Sequence, residues 1–156
     1  ALAFDSNSTA LDGFQGAAHA LHHVAALKLM CEPGDLGRAV GSGDGEWGVG
    51  SRGRTGPSKE AAVDGEFEPT IFLYDNYPGG MGLAAPLYDL GRSLVHDALL
   101  LVSECDCIYG CPACVGPILA TDERDGVTPK SAALTVLTLI ESDTAGAPIA
   151  TQQVAA

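Results

Sequence analysis

Apolar positions in the first part of the chain recur at spacings of three and four. In "GFQGAAHALHHVAALKLMC", residues 13–31, Phe14, Ala17, Leu21, Val24, Leu27 and Met30 share one stripe of a 3.6-residue repeat. That pattern predicts an amphipathic helix, with Asp12 as its N-cap. "CEPGDLG" stops it with a proline and two glycines. "PTIFLYD", 69–75, is a short run of β-formers and reads as a buried strand. The turn "NYPGGMG" follows. "LAAPLYDLGRSLVHDALLLVSE", 83–104, returns to helical spacing, with Leu83, Leu87, Leu90, Leu94, Ala98 and Leu101 as its seam. Thr128 and Pro129 suit the N-cap and first position of a third helix, which runs through "KSAALTVLTLIES" to near Asp143.

The remaining segments lack such periods. Residues 1–12 read as a polar lead-in and 144–156 as a frayed tail. Residues 41–68 are a long glycine-rich and acidic connection, with at most a short strand near Trp47. A loop of that length is unusual in a compact domain, so it is either an insertion or a surface for a partner. The elements together predict an α+β fold: a small single domain, 13–143, with about three helices packed on a short sheet.

Charge and composition narrow the function. The net charge is −12, from 20 acidic and 8 basic side chains, which excludes a domain whose whole surface grips phosphate. A local basic patch is still allowed. No apolar run is long enough to span a bilayer and no leader is recognisable, so the expectation is a soluble cytoplasmic protein without membrane contact. The start at Ala1, in polar text, suggests a fragment or a processed product.

Four of the five cysteines fall within "CDCIYGCPAC", as Cys-x-Cys-x3-Cys-x2-Cys. Cysteines this close make strained rings as disulfide partners. As thiolates, Cys105, Cys107, Cys111 and Cys114 can wrap one tetrahedral zinc ion, and four sulfurs with no open position make a structural zinc knuckle. Gly110 and Pro112 suit the tight backbone that such a knuckle needs. An iron–sulfur cluster is the alternative metal, although its ligands are usually spread more widely. A redox pair built on "CPAC" alone leaves Cys105 and Cys107 unexplained. Cys31 reads as a core thiol, with a fifth or substitute ligand as the alternative.

Other polar groups offer less. His19 and His23 lie one helical turn apart, a spacing that can hold a metal, yet histidines on a helix surface account for it as well. His96 has no evident partner and reads as a surface residue. "YPGGMG" sits between a strand and a helix, as an anion-binding loop would, but lacks the lysine and hydroxyl of a P-loop and reads as a tight turn. No nucleophile with a base, and no acid–base set, can be assembled from this chain.

Four segments taken together carry a resemblance: "GAAHALHHVAAL" (16–27), "CEPGDLG" (31–37), "PTIFLYDNYPGGMGLA" (69–84) and "CDCIYGCPACV" (105–115). Across roughly 13–142 the chain resembles the MrfA-like zinc-binding domain, the C-terminal domain of mitomycin-repair-type superfamily 2 DNA helicases. The chain departs from the family pattern at Gln15 and Ala18, where that pattern has histidine and glutamate, and it has no further cysteine after the cluster. The resemblance implies structural Zn2+ on Cys105, Cys107, Cys111 and Cys114. It also implies a parent enzyme that hydrolyses ATP and moves 3′ to 5′ on single-stranded DNA during repair. The domain would brace the helicase core and help route the strand, through Arg52, Arg54 and Lys59 or through the turn containing Tyr77, Gly79 and Gly80. Without the motor, this chain alone is expected to have no activity. Relatives without a helicase core imply the alternative, a protein-interaction module of a phage-defence or regulatory complex. A small redox enzyme using "CPAC" is the third expectation.

Overall fold

A computed structural model describes residues 7–42, 69–77, 79–117 and 126–146, with side chains described for 9–41, 69–77, 79–117 and 126–143. Four helices pack on a two-stranded antiparallel sheet. The order is α1 (Asn7–Leu29), a 3-10 turn (Pro33–Asp35), β1 (Leu36–Ser42), β2 (Pro69–Asp75), α2 (Ala84–Asp89), α3 (Gly91–Ser103) and α4 (Pro129–Gly146).

Helix α1 is the centre of the domain, and its small residues explain why. Ala17, Ala18, Ala20 and Ala25 are fully buried, and Leu21 and Val24 nearly so. Alanine lets neighbouring helices approach closely while retaining the best helix propensity. Where α1 crosses α4, even alanine is too large. A Cβ on Gly16 would lie 2.9 Å from the Ala133 Cβ, and one on Gly13 would lie 2.9 Å from the Ala132 carbonyl oxygen. The helix begins six residues before the expected Gly13 start, so Asp12 is an exposed helical residue rather than its N-cap. Ala10, buried at the α1 surface, shows what the polar text around it concealed.

The C-terminus of α1 also departs from the periodic reading. Met30 takes a left-handed φ of 52°, its N–H bonds the Leu27 carbonyl, and the Cys31 N–H bonds the Ala26 carbonyl. This is a Schellman closure. It turns Met30 out of the stripe, and both Leu27 and Met30 are exposed.

The strand at 69–75 is present but not buried as expected, since Thr70, Phe72 and Tyr74 alternate toward solvent, and its partner β1 was not anticipated. Leu36 pairs with Asp75, Arg38 with Leu73 and Val40 with Ile71. Facing residues in an antiparallel pair share a side, so these six side chains lie on the face that packs toward α1. Leu36 is buried there, and Ile71 and Leu73 pack on the core. The expected strand near Trp47, with the rest of 43–68, lies outside the described residues.

The predicted second helix is two helices, α2 and α3, joined at Leu90 in front of Gly91. The seam holds at Leu87, Leu94 and Ala98, but its last position is Val102, fully buried, and Leu101 is exposed. In α4 the expected start is realised: the Ser131 N–H donates to the Thr128 Oγ1 at 3.1 Å, and Pro129 opens the helix. Val136 and Leu137 point into the core, each adding ~1.5–3 kcal/mol by leaving water. No helix among the described residues is long and apolar enough to cross a membrane.

The close crossing of α1 and α4 leads to a stability prediction. Gly16→Val should lower unfolding stability by about 1–3 kcal/mol, the cost of overpacking a tight interface, in denaturant melts. A surface change at Gln15→Ala should be near neutral in the same assay.

Candidate metal centre and its surroundings

The cysteine cluster is the loop that turns the chain from α3 toward α4. After the Glu104 N–H closes the last turn of α3 on the Leu100 carbonyl, Cys105 enters the loop. The N–H groups of Cys114 and Val115 both donate to the Cys111 carbonyl, which curls the "CPAC" segment into a tight turn. Gly110 has a φ of 120°, and a Cβ there would lie 2.8 Å from the Val115 side chain. Only glycine fits that conformation and space. Ile108 and Tyr109 project outward as exposed spacers, whereas Cys114 and Val115 are buried in the core.

The loop brings all four sulfurs to one place. The Sγ atoms of Cys105, Cys107, Cys111 and Cys114 lie within 4.8 Å of one another. Three of the separations are 3.7 Å for Cys105–Cys111, 3.5 Å for Cys107–Cys114 and 3.6 Å for Cys111–Cys114. A tetrahedron with arms of about 2.3 Å has edges of about 3.8 Å, so this set fits one zinc ion. Cys31 is not in the group. It is half-buried against the core, and burial, then Asp35, push its thiol pKa up.

Electrostatics point the same way. The amides of Cys114 and Ala113 lower the Cys111 thiol to about 7. Burial first, and then the surrounding sulfurs, push Cys114 up to about 12. Burial, first among the causes, also raises Cys107. Four thiolates at these separations repel one another strongly, and a bound divalent cation removes the conflict. Lys130 adds a second positive charge. Its ammonium donates to the Cys105 carbonyl at 2.6 Å and the Cys107 carbonyl at 2.9 Å, and its backbone N–H donates to Tyr109 at 3.0 Å. A zinc ion with four thiolates carries net charge −2, and Lys130 partly offsets it while tying α4 to the loop.

Two further groups surround this centre. The Asp75 carboxylate, at the end of β2, accepts the backbone N–H groups of Met81, Leu83 and Tyr77 and so folds the "NYPGGMG" turn over itself. Desolvation opposes its charge, but the donors of Met81, Leu83, Tyr77 and Gly82 outweigh it and hold the carboxyl below its ordinary pKa. Gly79, Gly80 and Gly82 all have positive φ, and Tyr77 and Met81 are exposed at the tip. The segment is the tight turn that the sequence predicts, and its amides turn inward to Asp75.

The second group is the histidine cluster, which the sequence placed on the surface or as a metal pair. His19 and His22 are buried and His23 is half-buried. The His22 Nε2 pairs with the Leu36 carbonyl at 3.0 Å. The His19 ring lies under Gly116, its centroid 4.3 Å from that of His23 with the two planes tilted by 50°. Burial, then His23 and Arg38, pull its pKa down to about 4. His96, expected to be alone, pairs with Glu141 at 2.8 Å and links α3 to α4.

Arg52, Arg54 and Lys59 lie outside the described residues; Tyr77, Gly79 and Gly80 form the turn above. Lys130, Arg38 and His22 were not singled out from sequence. Lys130 carried one usable signal, its place directly after the Thr128–Pro129 helix start that follows the cluster.

A four-sulfur knuckle joining two helices, with Cys114 buried and the other three cysteines half-buried, defines the class as a structural zinc domain. The family model described as the MrfA Zn-binding domain matches residues 17–115, and the chain belongs to that family. Zinc is therefore its cofactor, with a structural role. The chain is 30% identical over 122 residues to the uncharacterized ATP-dependent helicase YprA of Bacillus subtilis (strain 168), covering 78% of this chain and 13% of that protein. It is 42% identical over 45 residues to the uncharacterized protein MJ1572.1 of Methanocaldococcus jannaschii, covering 29% of this chain and 40% of that one. Among solved structures, it is similar to the DUF1998 helicase MrfA bound to DNA, with a TM-score of 0.59 and 29% identity. That match covers 88% of this chain and 15% of the helicase.

Two measurements check the account of the centre. Lys130→Met should weaken zinc binding by about 10–100-fold, as loss of an outer-shell partner does, in competition with a chromogenic chelator. Asp75→Asn should speed amide exchange at Met81 and Leu83, and the wild type should show the same loss at acid pH. The sign follows from the lowered pKa: the carboxylate's contribution is present above the ordinary carboxyl range and is lost as pH falls through its folded-state value.

Proposed function

We propose that this chain is the zinc-stabilised accessory domain of an ATP-dependent 3′–5′ DNA helicase that acts in cytoplasmic DNA repair. Cys105, Cys107, Cys111 and Cys114 are its zinc ligands. The domain braces the helicase core and helps guide single-stranded DNA. The observation that carries this reading is the turn after β2 that the Asp75 carboxylate closes. It holds Tyr77 and Met81 in solvent, and its own amides are already satisfied by Asp75. An exposed aromatic on a fixed turn offers a face for base stacking that is tolerant of sequence. Arg52, Arg54 and Lys59 would supply phosphate contacts. The chain spans 13% and 15% of the helicases it matches, which supports a larger parent with a motor elsewhere.

A second reading, a protein-interaction module without a motor, is supported by the net charge of −12 and by a groove of ≈ 490 Å³. Phe14, Ile71, Leu73, Leu87 and Tyr88 are among the residues lining that groove.

The test uses the full-length parent. Its chain should contain nucleoside-triphosphate motor motifs and should unwind 3′-tailed duplex DNA with ATP. Tyr77→Ala should cost about 1–3 kcal/mol in single-strand affinity, the usual worth of one stacking contact, with ATP hydrolysis in the absence of DNA unchanged. A parent chain without a motor, or unaltered strand affinity in the Tyr77 variant, would favour the interaction module.

A further inference from the structure

The histidine cluster has no part in the zinc centre or the Tyr77 turn. It faces Arg38, which the β1–β2 register places on the α1 side of the sheet, opposite Leu73. His22, on α1, bonds the Leu36 carbonyl two residues before Arg38, so helix and strand meet at this point. His19 is 6% exposed, and neither of its ring nitrogens makes a hydrogen bond. The Pro112 carbonyl lies nearby and favours the charged ring, but not in hydrogen-bonding geometry. Among the described residues, no carboxylate pairs with Arg38. A half-buried guanidinium and unpartnered imidazoles in one place are costly in a chain of net charge −12 that offers acids so freely.

We propose that Arg38, His23 and His19 form a binding site for a phosphate group. Arg38 and His23 are half-buried, so the ligand can reach them from solvent while His19 forms the floor. Arg38 presents a fork of N–H donors from β1, and the half-buried His23 brings a ring donor from α1, with the enclosed His19 ring beneath them. Donors converging from two elements match a tetrahedral oxyanion better than a planar carboxylate. Burial first, then a neighbouring histidine and then Arg38 lower the pKa of both His19 and His23, and an anion would relieve the conflict between these cations. No ligating acid or cysteine joins the three histidines in a candidate metal group among the described residues, and the adjacent guanidinium opposes a cation. The phosphate could belong to a nucleic-acid strand or be free in solution. The strand source rests on the accessory-domain reading above; the free source does not.

The experiment titrates the zinc-loaded 156-residue chain with inorganic phosphate, single-stranded oligothymidylate, or acetate at matched ionic strength. Arg38 side-chain and histidine ring signals are followed by heteronuclear NMR. Binding of phosphate or oligothymidylate that moves the Arg38, His19 and His23 signals together is the expected result. Arg38→Gln should weaken it by about tenfold or more, as loss of a charged hydrogen bond does. Arg92→Gln, which removes an exposed charge on α3, should change it by less than about twofold. Arg38→Lys keeps the charge without the fork, should bind with intermediate strength, and reads the site if the glutamine variant does not fold. Binding of the oligonucleotide but not of phosphate assigns the strand source. The reverse assigns the free source and leaves the helicase reading to its own test. No binding of either probe, equal binding of acetate, or equal loss in the Arg92 variant overturns the proposal.

Discussion

Four cysteine sulfurs packed at the α3–α4 junction set the terms for the rest of the domain. Thiols this close cannot all ionise unaided, and as neutral thiols they would give little to hold the loop. One divalent cation turns the repulsion into four bonds. The consequences run outward through named contacts. Cys114 and Val115 are anchored in the core beside α1. Lys130 ties the first turn of α4 to the carbonyls of Cys105 and Cys107. Gly116 closes over His19. Metal, helix start and central helix thus form one connected unit, and the thin two-stranded sheet is supported by that unit rather than by neighbouring strands.

The acidic surface and the local chemistry are separate matters. The net charge keeps the whole domain from behaving as a polycation toward nucleic acid. The nucleic-acid contact proposed above would then come from small, preorganised features. The structure has one of these in the turn whose amides converge on Asp75, leaving Tyr77 outward, and another in the Arg38–histidine cluster between α1 and β1. Both are built on the segments flanking the sheet: the Asp75 carboxylate holds the turn, and the His22 bond to the Leu36 carbonyl ties the cluster to β1.

Much of this was legible in the residues, and the exceptions have physical causes. The cysteine spacing identified the metal centre because four ligands so near in sequence have few other uses. The strand at 69–75 was readable from its β-branched and aromatic residues. Its partner β1 was not, because Gly37 and Gly41 dilute the β signal in "LGRAVGS" and the pairing is a long-range event. The early start of α1 was hidden by "NSTALD", whose polar residues favour caps in isolation; burial of Ala10 against the fold overrides them. Leu27 and Met30 fitted a perfect stripe that the Schellman turn ends one residue too soon. The burial of His19 and His22 could not be read from a helix alone, because it depends on the Leu36 carbonyl and Gly116, 14 and 97 positions along the chain from them.

The central claim is that one zinc ion, held by four sulfurs, organises the α3–α4 junction. X-ray absorption at the zinc edge on purified protein, combined with elemental analysis, tests it most directly. The account predicts one zinc per chain with an all-sulfur shell at about 2.3 Å. A folded protein without stoichiometric zinc, or a shell containing nitrogen or oxygen ligands, would contradict it.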